Sequence, residues 1–220
     1  VLVGEELGKD PQRLAAAIAE ERITHWYSTP SILNLLCEYG KLERHDCRAL
    51  RSVLFAGEVF PVPRFRVLHG RWPHPRHFNL YGPTETNVCT WYEVPGDDSW
   101  RSRDTFPIGR VCPPNAGRVV DESGRDVMQG ALGELIIAGS NVMRGYWNQP
   151  ELTAAAFFTG EDDERWYRTG DLVTEEPAGE YTYRGRRDRM VKRRGYRVEL
   201  GEIEAALLRH PDIRESAAVA

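Results

Sequence analysis

The sequence predicts an α/β protein: a parallel βαβ sheet, then a small β-barrel-like lobe, then the start of a further α+β unit. Three observations carry that expectation. Strand-like and helix-like runs alternate through about the first 80 residues, the pattern of βαβ units and a mostly parallel sheet. Beyond about residue 105, helical spacing fades and short β-rich runs appear between Gly and Pro, as in a small barrel or sandwich. From Gly201 a new amphipathic helix begins, with Glu202, Ile203, Ala206 and Leu207 on a clear i, i+3, i+4 spacing.

Taken in order, Val1–Val3 reads as a strand. Asp10-Pro11 supplies an N-cap and an N1 proline, and Leu14, Ala17, Ile18 and Glu21 follow at helical spacing. Ile23–Ser28 is the next strand. Thr29-Pro30 opens a helix that Gly40 stops, with Ile32, Leu33, Leu35, Leu36 and Tyr39 as its apolar residues. Leu50–Ala56 is a third strand, and the unbroken run Val53-Leu54-Phe55-Ala56 fits one buried on both faces. Pro61–Gly70 forms a short helix, and His77–Leu80 the fourth strand. In the second region, strands are expected in 117–120, 133–139, 166–169 and 180–183, with a short helix over Pro150–Phe158. Ser216–Ala220 reads as a strand in progress, and both ends read as cut.

The 220 residues carry a net charge of −4, which speaks against a polyanion-binding chain. Cys37, Cys47, Cys89 and Cys112 are scattered with no CxxC pair, as expected of reduced thiols in a cytoplasmic protein. No run reaches the roughly 18 apolar residues of a membrane helix. No secretory signal precedes the first strand.

The most informative run is Asn79-Leu80-Tyr81-Gly82-Pro83-Thr84-Glu85-Thr86. It follows a strand with an aromatic, a Gly-Pro turn, hydroxyls and a carboxylate, which can serve as a stacking surface, phosphate contacts and a metal ligand. Gly-Pro also marks ordinary turns. Its position favours the ligand reading: ligands of such sheets bind beyond the carboxyl ends of the strands, where Ala56-Gly57-Glu58 also lies. In Arg168-Thr169-Gly170-Asp171-Leu172 an aspartate follows a Gly turn and could take both hydroxyls of a ribose, or simply close an Asx turn. Arg184 to Arg197 holds eight basic residues and one acid, Asp188. This run fits a solvated hairpin, a phosphate-binding group or an RNA-binding module. Glu199, Glu202 and Glu204 follow at once, and no nucleic-acid motif accompanies it. His74 and His77 have HxxH spacing, but no third ligand is near and no metal site is expected there. No P-loop, GxGxxG or GxSxG is present.

Four segments stand in a fixed order: FNLYGPTET (78–86), GELIIAGSNVMRGYWNQPELT (133–153), YRTGDLV (167–173) and GRRDRMVKRRGYRVELGEIEAAL (185–207). Together they resemble the adenylate-forming enzymes, specifically the adenylation domains of nonribosomal peptide synthetases and their stand-alone relatives. The resemblance runs essentially end to end. It implies that 1–187 is the C-terminal part of the large AMP-binding domain (1–105 the α/β sheet, 106–187 the β-rich lobe), and that 188–220 begins the small C-terminal domain. It also implies activation of a carboxylic acid with ATP and Mg²⁺ to an acyl-adenylate, then transfer to the phosphopantetheine thiol of a carrier protein.

On that resemblance, Tyr81 stacks on adenine, Gly57 and Glu58 lie along its edge, and Asn79 and Gly82 belong to the same nucleotide loop. Thr84 contacts phosphate, Glu85 holds Mg²⁺, and Asp171 binds the ribose hydroxyls with help from Arg186. Thr84, Glu85 and Arg186 are the catalytic candidates. Asp188 matches the hinge of the small domain, and Val191 to Glu199 would shape the thiol channel. Tyr27, Leu54, Ala56, Leu80, Val88 and Cys89 would line a mostly apolar acyl pocket, suited to an uncharged side chain. Met190 and Arg193 depart from the family pattern. The family's phosphate loop lies upstream and its C-terminal lysine downstream, so this stretch alone is expected to lack adenylation activity. The favoured substrate is an amino acid; 55–61 and 81–95 are similar to carrier-protein ligases for single amino acids, prolyl ones among them. An acyl- or aryl-CoA ligase uses the same chemistry with CoA as acceptor. A non-catalytic nucleotide-binding or RNA-binding module is the reading from another class. The leading reading involves no nucleic acid and no membrane.

Overall fold

The computed structural model describes residues 4–160, 164–187, 190–193, 196–207, 209–210, 213 and 215–219. The strand expected at Val1–Val3 and the hinge candidate Asp188 lie outside the described residues.

The chain starts with a short helix, α1 (Glu5–Gly8), then α2 (Pro11–Glu20). The Asp10 carboxylate caps α2, accepting from the amides of Gln12 at 3.0 Å and Arg13 at 3.1 Å, and Pro11 takes N1, where no amide hydrogen is needed. Strand β1 (His25–Ser28) leads into α3 (Pro30–Tyr39), β2 (Ser52–Ala56), α4 (Val62–Arg71), β3 (Arg76–Tyr81), β4 (Thr90–Glu93) and β5 (Arg110–Val111). The five strands form one sheet in sequence order. The first three are parallel, as βαβ units require, but β4 and β5 run antiparallel, so the sheet is mixed. The antiparallel return follows from the short connection after β3, which leaves no room for a crossover helix.

Helices cover one face of this sheet. Leu14, Ile18, Leu33, Leu36, Phe65 and Leu68 from the helices pack with Val53 and Phe55 of β2. Burial along β2 alternates: Val53 and Phe55 are buried, Leu54 and Ala56 half-buried. The expectation of a strand buried on both faces is therefore corrected. The other face is carried by Tyr27, Leu54, Ala56, Phe78, Leu80 and Trp91, joined by the registers Tyr27↔Leu54↔Phe78 and Ala56↔Leu80↔Trp91. No described helix packs there, and Tyr27 stays 60% exposed.

The second sheet contains β6 (Ala116–Val120), β7 (Leu132–Ala138), β8 (Phe157–Thr159), β9 (Arg165–Glu175) and β10 (Tyr181–Arg186), with α5 (Pro150–Ala156) before β8. Its order is β10-β9-β7-β6, with β8 paired to β9, and every pairing is antiparallel. It is open: β6 and β10 are edges, and no closed barrel exists among the described residues. A barrel closes to bury its own inner face, but here Leu135, Ile137, Val173 and Tyr181 bury theirs against Tyr81, Cys89 and Ile108 from the first region. The amide of Ile108 donates to the Tyr181 carbonyl at 2.8 Å and stitches the two regions together.

The basic run after β10 contains a hairpin, β11 (Met190–Arg193) and β12 (Tyr196–Glu199), followed by α6 (Leu200–Leu207). The described residues 215–219 form no strand, having no partner strand to pair with. Among the described residues no helix is long and apolar enough to cross a membrane.

Candidate active site

A cavity of about 790 Å³ opens beyond the carboxyl ends of β2 and β3. The registers Phe55↔Asn79 and Ala56↔Leu80 bring the loops after these strands to the same edge. Gly57 and Glu58 line the cavity from one loop, and Tyr81 and Gly82 from the other. Gly57 has φ +89, a conformation open to glycine at little cost. At Gly82 a Cβ would come within 1.6 Å of the Asn87 carbonyl oxygen, so only glycine lets the 81–89 loop fold back on itself. Glu58 accepts from the amide and hydroxyl of Ser31 at 3.0 and 2.6 Å, placing its charge at the N-terminus of α3. Asn79 is buried, and its amide donates to the Pro107 carbonyl at 2.8 Å.

The second sheet closes the cavity from the opposite side with Asp171, Tyr183, Arg184 and Arg186, and Met190 of the following segment joins them. Asp171 is 3% exposed. Its Oδ2 accepts a hydrogen bond from the Tyr81 hydroxyl, and its Oδ1 accepts from Arg186 Nη1 at 2.7 Å. Arg186 also donates to the Thr169 carbonyl at 3.3 Å. Three strands of two sheets thus converge on one carboxylate. Burial, then the nearby Asp171 charge, pushes the Tyr81 phenol well above its ordinary value and keeps it a donor.

Thr84 and Glu85 lie further along the same loop, outside the cavity lining. Thr84 is exposed. Glu85 is 6% exposed; its Oε1 accepts from the Tyr146 hydroxyl and its carbonyl from the Met143 amide, both at 2.7 Å. A buried, acceptor-only carboxylate held from a second loop suits a hard cation such as Mg²⁺, which takes one or two protein carboxylates and completes its shell with phosphates and water. Among the described residues no cluster of three His, Cys, Asp or Glu could hold a metal by itself.

The residues expected to line an acyl pocket are less closely gathered. Leu80 lines the cavity. Tyr27, Leu54 and Ala56 share its sheet face but lie outside the cavity, on the open side. Val88 is half-buried, its carbonyl accepting from Asn141 Nδ2 at 3.4 Å. Cys89 is fully buried between the two regions, beside Ile108 and Val119, and burial pushes its thiol up to about 11. His77 is buried against Phe65, ring centroids 5.0 Å apart, on the helix-covered side.

Sequence reasoning missed Glu134 and Tyr146. Glu134 is a carboxylate inside the otherwise apolar strand β7, and that exception in GELIIA was the available signal. Its Oε2 accepts from Arg168 at 2.7 Å and from Arg187 at 3.3 Å, and its Oε1 accepts from the Gly170 amide at 3.1 Å.

A two-sheet α/β structure with a nucleotide-sized cavity at its strand ends defines a class, and the comparisons give its family. Residues 1–147 match the family described as AMP-binding enzyme, and the chain belongs to that family. It is 48% identical over 219 residues to an L-proline–[L-prolyl-carrier protein] ligase of Streptomyces coelicolor, an alignment covering 98% of this chain and 40% of that ligase. The crystal structure of IdnL1 matches with a TM-score of 0.91 at 30% identity, covering 99% of this chain and 46% of that one. The Vibrio cholerae adenylation domain AlmE, in complex with glycyl-adenosine-5'-phosphate, matches with a TM-score of 0.82 at 30% identity, covering 98% of this chain and 40% of that one.

Proposed function

We propose that this chain supplies the nucleotide-binding part of an AMP-forming ligase. The ligase activates an amino acid with ATP and passes the acyl group to the phosphopantetheine thiol of a carrier protein. The observation that carries the reading is the meeting of Tyr81, Asp171 and Arg186 at the edge of the cavity. A carboxylate at this edge is an acceptor, and two neighbouring ribose hydroxyls are donors of the right kind for it. The Tyr81 ring offers an aromatic surface beside it, and Gly57 leaves room for an adenine edge.

Glu58, Asn79 and Gly82 shape the base end of the site. Thr84, exposed on its loop, would meet phosphate. Arg186 would place positive charge where negative charge grows as pyrophosphate leaves. Glu85 would hold Mg²⁺, which when bound neutralises charge on the phosphates. Leu80, Ala56, Leu54 and Tyr27 would form one wall of the acyl site, with Val88 and Cys89 behind it. Asp188 would be the hinge of a small domain beginning at 188, and the β11–β12 hairpin the element that turns about it. Four free cysteines suit a cytoplasmic setting. The name of the Streptomyces coelicolor relative makes L-proline the first acid to test.

The test is ATP–pyrophosphate exchange by the full-length protein across amino and aryl acids. Exchange with one amino acid, crippled by Glu85→Ala, is expected. Exchange only with acids lacking an amino group would move the reading to a CoA ligase, and near-normal exchange in Glu85→Ala would remove the metal assignment. The 220-residue chain alone should show no exchange.

A further inference from the structure

The Asp171 carboxylate is delivered by an irregularity in the sheet. Between the registers Glu134↔Leu172 and Ile136↔Arg168, β7 advances two residues while β9 advances four. Residues 169–171 therefore bulge out of the ladder, with Gly170 at φ +72. Bulges re-aim side chains, but they also remove backbone groups from their regular partners. Two groups on β7 answer for this one. The Leu135 carbonyl accepts from the Thr169 hydroxyl at 2.6 Å, and the Glu134 carboxylate accepts from the Gly170 amide at 3.1 Å.

The same Glu134 carboxylate reaches both flanks of the site. It is 4% exposed. Arg168 precedes the bulge and donates to it at 2.7 Å, and Arg187 adjoins Arg186 and donates at 3.3 Å. The Arg187 amide in turn donates to the Gly170 carbonyl at 2.8 Å. One buried charge thus ties the bulge that carries Asp171 to the strand end that carries Arg186. A neutral amide of the same shape cannot do this, because it has a single acceptor oxygen, whereas both guanidinium groups use Oε2 and the Gly170 amide uses Oε1.

We propose that Glu134 is a positioning residue: it holds the 169–171 bulge and Arg187 together so that Asp171 and Arg186 face the ribose hydroxyls. This rests on the nucleotide reading of the cavity and goes beyond it, because Glu134 does not line the cavity. Glu134 sets the preference of the site for a nucleotide with both ribose hydroxyls.

The experiment is calorimetric titration of the full-length protein with AMP and with 2',3'-dideoxy-AMP, for wild type and Glu134→Gln. Wild type should prefer AMP. In Glu134→Gln, AMP affinity should fall about tenfold, the scale of one hydrogen bond to a charged group. Dideoxy affinity should hold within about twofold, so the preference collapses. If both affinities fall by the same factor, Glu134 is merely structural and the proposal fails. If wild type binds AMP with no preference, or not at all, the nucleotide reading fails first and takes the proposal with it. Hydrogen exchange of the wild-type protein gives the answer without a variant that could misfold. AMP should slow exchange of the Gly170 amide well beyond the effect of 2',3'-dideoxy-AMP, and equal protection by the two would overturn the proposal.

Discussion

The two ends of the candidate site are built differently. At the nucleotide end, Tyr81, Asp171 and Arg186 come from two sheets, close on one another and are largely withdrawn from water. On the open face of the first sheet, Tyr27, Leu54 and Ala56 share one side of two strands, outside the cavity and with no described layer over them. On the nucleotide reading proposed above, the contrast teaches that the described residues offer two facing walls at one end and a single apolar wall at the other. On that reading, AMP should bind between the two facing walls, while the single apolar wall should not by itself select the acid.

The largest expected effect lies at the closed end. Asp171→Ala removes the carboxylate that Arg186 faces, and breaking a buried ion pair costs about 3–5 kcal/mol. Chemical denaturation should read that loss. A variant as stable as wild type would mean that the pair is not closed in solution.

The two faces of the first sheet can be compared on adjacent residues of one strand. Phe55 is fully buried among aromatic rings, 5.0 Å from Phe60 and 6.0 Å from Phe65. Phe55→Ala should cost about 3–5 kcal/mol. Leu54→Ala, on the open face, should cost about 1 kcal/mol, because less area leaves water on folding. Equal losses in denaturation would mean that something covers the open face.

The helix-covered face also predicts a pH dependence. Burial, then His69 and His74, pulls His77 down from the ordinary 6.5 to about 4. The unfolded chain binds that proton first, so stability is full above the ordinary value. It falls as the pH drops toward about 4, by about 3 kcal/mol in all. His77→Leu should flatten this part of the acid profile. An unchanged slope would place the titrating group elsewhere.

A smaller effect than that of Asp171→Ala is expected from Tyr81→Phe. It keeps the ring and deletes the hydroxyl bound to Asp171, a loss of about 1.5–3 kcal/mol in stability. AMP should still bind the variant, because the aromatic surface remains. Loss of all binding would mean that the hydroxyl, not the ring, is the contact.

Much of this was legible from local sequence. Asp10-Pro11 announced a helix start, the loops at 57 and 81 announced strand ends, and the GYRVELGEIEAAL run announced a last helix. What was not legible depends on pairing. Whether Leu54 is covered depends on what lies over the sheet, which the run Val53–Ala56 does not encode. An open sheet and a barrel share the same strands and differ only in what faces them. Cys89 looked like a pocket residue by position, but the second sheet packs over it. The bulge at 169–171 is a mismatch of register between two distant strands, so neither strand reveals it alone. Glu134 escaped for the same reason, since its partners lie at Arg168, Gly170 and Arg187.

The central claim is that the closed end alone binds the nucleotide. Its most direct test is titration of AMP into three forms of this chain: wild type, Asp171→Ala and Tyr27→Ala. The account predicts that Asp171→Ala loses about a hundredfold in affinity, two hydrogen bonds to a charged group. Tyr27→Ala should bind like wild type. Equal losses in both variants, or none in Asp171→Ala, would contradict it.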